Sequence, residues 1–133
     1  MSGRFGQRSH EPEHIDKGDY TPQEYEGCLA ELRRVNRWLG DVGALRRSVL
    51  PDIERGGART FTLLDVGAGT GELLREVALA GRGRKVTAHL AGLELNGRAA
   101  ESLLEESREF GEIVSVRADA FRLPFADGAF DYV

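Results

Sequence analysis

One cysteine, Cys28, stands in the 133 residues, so no disulfide can close within the chain. Its setting, "EGCLAELRR", reads as a helix, where a lone cysteine is expected as a small core residue. No window approaches the ~18 apolar residues of a membrane span. The N-terminal "MSGRFGQRSHEPEHIDKGDY" lacks the apolar run of a signal peptide, so a cytoplasmic location is expected. Positive excess is missing as well: 18 Lys and Arg face 22 Asp and Glu, a net charge of −4. A nucleic-acid binder usually carries a basic face, so no nucleic-acid partner is expected. His10 and His14 are close in sequence but have no cysteine or third histidine beside them, so no metal is expected. What is present is ordinary for one soluble domain with a core: 41% hydrophobic and 30% charged residues.

Three parts succeed one another along the chain. Residues 1–20 are polar and aperiodic and read as a flexible tail. Residues 21–58 read as two helices. Thr21 caps the first, with Pro22 in its first position and Glu24 three residues after the cap. Tyr25, Leu29, Leu32, Val35, Trp38 and Leu39 recur at helical spacing, and Gly40 is a plausible stop. "VGALRRSVLPDIERG" forms the second, with Pro51 expected to kink or end it. From residue 59 to residue 133 short apolar runs alternate with amphipathic ones. "TFTLLDV", "KVTAHLAGLEL" and "EIVSVRAD" read as strands, "GELLREVALAG" and "NGRAAESLLEESREFG" as helices, and "AFDYV" as the start of a fourth strand. Asn96 is a possible cap, with Gly111 just past the end of that helix. The alternation implies an α/β fold with a parallel, Rossmann-like sheet.

In such sheets ligands bind beyond the carboxyl ends of the strands. Gly67, Gly69 and Gly71 follow the first strand. Glycine there permits positive φ and removes the Cβ that holds a ligand off the main chain. A dinucleotide turn runs G-x-G-x-x-G and places pyrophosphate on a helix N-terminus. Here the spacing is G-x-G-x-G, and Glu72 fills the slot of the last glycine. A carboxylate suits the helix dipole but repels pyrophosphate. With Asp65 at the strand end, the turn favours a cationic or zwitterionic ligand.

The next two strands also end in acids. Glu94 closes "AGLEL" at the distance usual for an acceptor of ribose hydroxyls. Asp119 closes the third strand, where its carboxylate can accept from an exocyclic amine and the Ala120 N–H can meet a ring nitrogen. A plain turn-forming role for Asp119 stands beside that one. Together the three acids outline a site for a nucleoside with an ammonium-bearing tail.

At this point "LLDVGAGTGEL", "GLELN" and "RADAFRLPFADGAFDYV" resemble the consecutive motifs of class I S-adenosylmethionine-dependent methyltransferases, in particular the small-molecule branch that includes quinone-biosynthesis C-methyltransferases. The resemblance implies S-adenosyl-L-methionine as cofactor and a small molecule as methyl acceptor. It implies that Asp65, Gly67, Ala68, Gly69 and Gly71 face the methionine part, that Glu94 holds the ribose and that Leu95 flanks the adenine. Asp119 and the Ala120 backbone would then meet the adenine edge. Glu94 and Asn96 stand where Asp and Ser are commoner in relatives, and Gly97 is unusual in the first turn of a helix. The resembling fold has seven strands, so the chain is expected to be a fragment ending inside the fourth. His89, mid-strand, is expected as a packed or surface residue rather than a base, Asp131 as structural, and "GRGRK" as a solvated loop. Two other functions compete: a non-catalytic S-adenosylmethionine-binding module, and a nicotinamide-dependent oxidoreductase, which Glu72 opposes.

Overall fold

The computed structural model describes residue 11, residues 17–39 and residues 41–133. His10, His14, Gly40 and most of the tail lie outside them. Five helices and three strands follow in the order α1 (Pro22–Leu39), α2 (Asp41–Arg47), α3 (Val49–Gly56), β1 (Thr60–Val66), α4 (Glu72–Arg84), β2 (Thr87–Glu94), α5 (Gly97–Glu106) and β3 (Ile113–Arg117). The strands form one parallel sheet in the order β1-β2-β3, the α/β arrangement expected from the alternation. The fourth strand is present only as a bridge, in which Tyr132 pairs parallel with Leu63 on the free side of β1.

Register sorts the side chains. Phe61, Leu63 and Asp65 pair with Ala88, Leu90 and Gly92, and Leu90, Gly92 and Glu94 pair with Ile113, Ser115 and Arg117. Alternation puts this set on one face, and its apolar members join Leu74, Val77 and Leu103 in the main core. Full burial of such a side chain contributes about 1.5–3 kcal/mol. On the other face Leu64, Ala91 and Leu93 are covered by Ala118, Phe125 and Phe130 from the segment after β3. Val114, in the register row of Leu64 and Ala91, is 53% exposed.

Helix boundaries follow local chemistry. Thr21 and Glu24 form a capping box: the Thr21 N–H donates to Glu24 Oε2 at 2.7 Å and the Glu24 N–H to Thr21 Oγ1 at 3.2 Å. Among the described side chains of α1, Tyr25 and Leu29, one turn apart, are buried, whereas Cys28 and Val35 are exposed. The expected core role of Cys28 therefore fails, because it sits off the stripe that Tyr25 and Leu29 define. The expected single helix after α1 is two. Pro51 lies in the first turn of α3, where a missing N–H costs nothing, and the break falls at Ser48, whose hydroxyl donates to the Ala44 carbonyl at 2.7 Å.

Two further boundaries differ from the pattern. α4 runs through Gly81 to Arg84 and ends on Lys85 in the left-handed region, φ 57°. "GRGRK" is thus the last helical turn with its cap, not a loop, because its arginines have anchors. Arg82 holds Glu112 through both oxygens at 2.7 and 2.8 Å, and Arg84 pairs with Glu54. α5 stops at Glu106 with Ser107 as its C-cap, short of Gly111. Among the described residues no helix is long and apolar enough to cross a membrane.

Candidate functional site at the strand ends

The carboxyl ends of β1 and β2 are joined by the turn that leaves β1. Gly67, Gly69 and Gly71 all adopt positive φ, 77°, 54° and 79°. Their reasons differ. A Cβ on Gly67 or Gly69 would meet nothing within 4 Å, so both border open space from which a ligand can reach the main chain. A Cβ on Gly71 would lie 2.9 Å from Leu103 Cγ, so this glycine lets α5 pack against the start of α4.

Four N–H groups of the turn are spent within the protein. The N–H groups of Gly67 and Ala68 both go to the Leu93 carbonyl, at 2.8 and 3.1 Å, and that of Gly71 goes to the Ala68 carbonyl at 2.9 Å. The Gly69 N–H donates to Glu94 Oε2 at 3.0 Å. A pyrophosphate cradle needs such N–H groups aimed outward. Here a carboxylate occupies one and carbonyls take three, so these four are not offered to an anion.

Glu94 is half-buried on the helix-side face, two residues beyond the Asp65–Gly92 pair. Its other oxygen, Oε1, accepts from the N–H groups of Leu95 and Asn96 at 2.9 and 3.2 Å. Three donors fix the carboxylate, and the roughly four lone-pair sites of a carboxylate leave it able to accept once more. Asp65, also half-buried, is the second-last residue of β1, and Glu72 opens α4. Leu95 is 51% exposed next to Glu94. Asn96 caps α5 as expected, its Oδ1 accepting from the Ala99 N–H at 3.1 Å. Gly97 has a local reason: a Cβ there would lie 3.1 Å from the guanidinium carbon of Arg117, which donates to the Leu95 carbonyl.

Asp119 and Ala120 lie past the end of β3, and both are exposed. Asp119 Oδ1 accepts from the Phe121 N–H at 2.9 Å, the turn-forming role weighed against adenine binding. Asp131 is structural: its Oδ2 accepts from the N–H and hydroxyl of Thr62 at 2.8 and 2.9 Å, which holds its carboxyl below the usual range. His89 is exposed on β2, away from the strand ends.

Several residues at the site carried no sequence signal. Arg75 donates to the Thr70 carbonyl at 2.5 Å, to Ser107 Oγ at 3.3 Å and to Glu106 at 3.2 Å, tying the turn to the end of α5. Gly92 has the most crowded Cβ position among the described glycines, 2.5 Å from Leu103 Cδ1 and 2.8 Å from Leu74 Cδ1. Tyr20 reaches the site from the residues before α1, accepting from Asn96 Nδ2 at 3.1 Å, and Tyr25 of α1 stacks on it with ring centroids 5.2 Å apart. Their periodicity marked Tyr25 only as apolar, and nothing marked Tyr20.

The residues present fit S-adenosylmethionine: acceptors for a ribose and an ammonium group, open space at two glycines, and four turn N–H groups already paired within the protein. Residues 64–133 match the family model described as "Methyltransferase domain", more than half of the chain. No curated protein matches. Among solved structures, a candidate S-adenosyl-L-methionine-dependent methyltransferase from Methanococcus maripaludis is 17% identical with a TM-score of 0.57, over 94% of this chain and 52% of that one. The [4+2]-cyclase SpnF is 29% identical with a TM-score of 0.52, over 70% of this chain and 30% of that one. The chain spans about half the length of the first and under a third of the second. With the parallel sheet, the glycine turn and the strand-end acids in place, the chain belongs to the methyltransferase domain family.

Proposed function

We propose that this chain is the cofactor-binding part of an enzyme that moves a methyl group from S-adenosylmethionine to a small-molecule acceptor. The observation that carries this reading is the Gly69–Glu94 contact, which takes a turn N–H away from any phosphate and sets a carboxylate against the glycine turn. When bound, the cofactor supplies an electrophilic methyl group. Glu94 would hold the ribose hydroxyls, Asp65 would meet the ammonium end, and Gly67 and Gly69 would admit the ligand to the main chain. Leu95, Asp119 and Ala120 would border the adenine. For Asp119 this requires its free oxygen, since Oδ1 already takes the Phe121 N–H.

Methyl transfer of this kind depends on alignment and exclusion of water more than on a dedicated base. The division into a tail (1–20), a helical segment (21–58) and the cofactor-binding part (59–133) belongs to the same proposal. So does the likeness to quinone-biosynthesis C-methyltransferases, which rests on "LLDVGAGTGEL", "GLELN" and "RADAFRLPFADGAFDYV" taken together.

A second reading keeps the cofactor but not the transfer. This is a non-catalytic S-adenosylmethionine-binding module; one solved neighbour, SpnF, is named as a [4+2]-cyclase and not as a methyltransferase, so a fold of this kind is not tied to methyl transfer. Calorimetry with S-adenosylmethionine and with NAD tests the shared cofactor claim. Tight NAD binding without a response to S-adenosylmethionine would sink both readings. Transfer of a labelled methyl group by the full-length protein then separates them, small molecules and RNA being offered in parallel. Label entering only RNA overturns the small-molecule acceptor, and no transfer to any acceptor favours the binding module.

A further inference from the structure

Tyr25 is 4% exposed, and its hydroxyl is the one buried side-chain polar atom among the described residues that lacks a hydrogen-bond partner in the protein. Burial of an unpaired hydroxyl costs free energy, so a native protein that keeps one calls for an explanation. The phenol is also held firmly. Its ring stacks on Tyr20 with centroids 5.2 Å apart, and the Arg98 guanidinium lies 5.7 Å from the Tyr25 ring and 5.8 Å from that of Tyr20. Tyr20 in turn accepts from Asn96 Nδ2, and the Asn96 N–H donates to Glu94. A residue from α1 is thereby fixed against the strand end that carries the ribose-binding acid. Burial first, then Tyr20 and Glu94, push the Tyr25 phenol up to about 12, with Arg98 opposing. It therefore stays a donor throughout the neutral range.

We propose that Tyr25 is a ligand-binding residue of the Glu94 site, its hydroxyl donating a hydrogen bond to an oxygen of bound S-adenosylmethionine, so that α1 forms one wall of the cofactor pocket. This rests on the cofactor reading above. It also explains why a tyrosine rather than a phenylalanine fills a core position of α1.

Tyr25→Phe separates this from a packing role, because the two make opposite demands on the free and bound protein. Without ligand, loss of an unpaired buried hydroxyl leaves the melting temperature unchanged or raises it. With ligand, calorimetric affinity for S-adenosylmethionine falls about five- to tenfold, as for loss of one hydrogen bond, and the ligand-induced rise in melting temperature shrinks. Adenosine, titrated in parallel, locates the partner: an equal loss puts it on the ribose, and no loss puts it on the methionine carboxylate. Undiminished S-adenosylmethionine affinity in Tyr25→Phe, with binding by the wild type, overturns the proposal alone. So does a drop in the free protein's melting temperature, which would mean that the hydroxyl has a partner inside the protein. Absence of binding by the wild type overturns the cofactor reading and this proposal together.

Discussion

Glu94 accepts the Gly69 N–H at 3.0 Å across the gap between the end of β2 and the turn after β1. One carboxylate oxygen thus closes the turn while the other is held by the N–H groups of Leu95 and Asn96. The acid is both the brace of the turn and its candidate ribose acceptor. Glu94→Gln keeps the shape but replaces one acceptor oxygen with an NH2 group that faces a donor. Its affinity for S-adenosylmethionine should fall by about 1–3 kcal/mol, the worth of a charge-assisted hydrogen bond. Titration calorimetry checks this, and wild-type affinity in the variant would remove Glu94 from the site.

Glycines in one region should respond differently to alanine. Gly92→Ala drives a Cβ into Leu103, Leu74 and Ala68, at 2.5, 2.8 and 3.0 Å. Overpacking of this kind costs about 1–3 kcal/mol, read as a lower midpoint in urea. Gly69→Ala meets open space but must hold φ 54°. Its strain costs about 1–2 kcal/mol, and the added methyl lies where a ligand approaches, so cofactor affinity should drop as well. Equal affinity losses in the two variants would contradict this separation.

Arg75 links Thr70, Ser107 and Glu106 from a side chain that is 19% exposed. Arg75→Ala leaves the buried Ser107 without one of its partners and frees the end of the turn. A loss of about 1–3 kcal/mol is expected. Lysine should rescue it poorly, since a single ammonium cannot span the fork. Full rescue by Arg75→Lys in thermal melts would show that charge alone matters.

The last residues are tied down by the Asp131–Thr62 pair, in which the Asp131 N–H also donates to Thr62 Oγ1 at 2.9 Å. Hydrogen bonds from Thr62 lower the Asp131 pKa in the folded chain. The unfolded chain, with an ordinary value of about 3.9, then binds more protons between the two values. The contribution is complete above the unfolded pKa and is lost as pH falls through the folded one. Asp131→Asn should flatten that part of the stability profile. Glu112, lowered by Arg82, gives the same sign independently, so the measurement is the difference between wild type and Asp131→Asn in acid titrations. Identical acid slopes would exclude the Thr62 contact as a source of pH dependence.

Local information wrote much of this fold into the sequence. Alternating apolar runs specified the strands, Thr21, Pro22 and Glu24 specified the start of α1, and Asn96 specified the start of α5, because each depends on residues within one turn. The glycine spacing and Glu72 pointed away from pyrophosphate for the same reason: the chemistry lies within a few consecutive residues. Boundaries that depend on distant partners were not legible. α4 continues past Gly81 because Arg82 and Arg84 find Glu112 and Glu54, each 30 residues away. Gly92 reads as an unremarkable strand residue until α4 and α5 pack over it. The site divides likewise. Sequence named Asp65, Gly67, Gly69 and Glu94, whose places follow from strand ends. Only the tertiary structure could join Gly69 to Glu94, or bring Tyr20 to Asn96 at the same strand end. Those contacts are made through space, between segments whose sequences carry no record of each other.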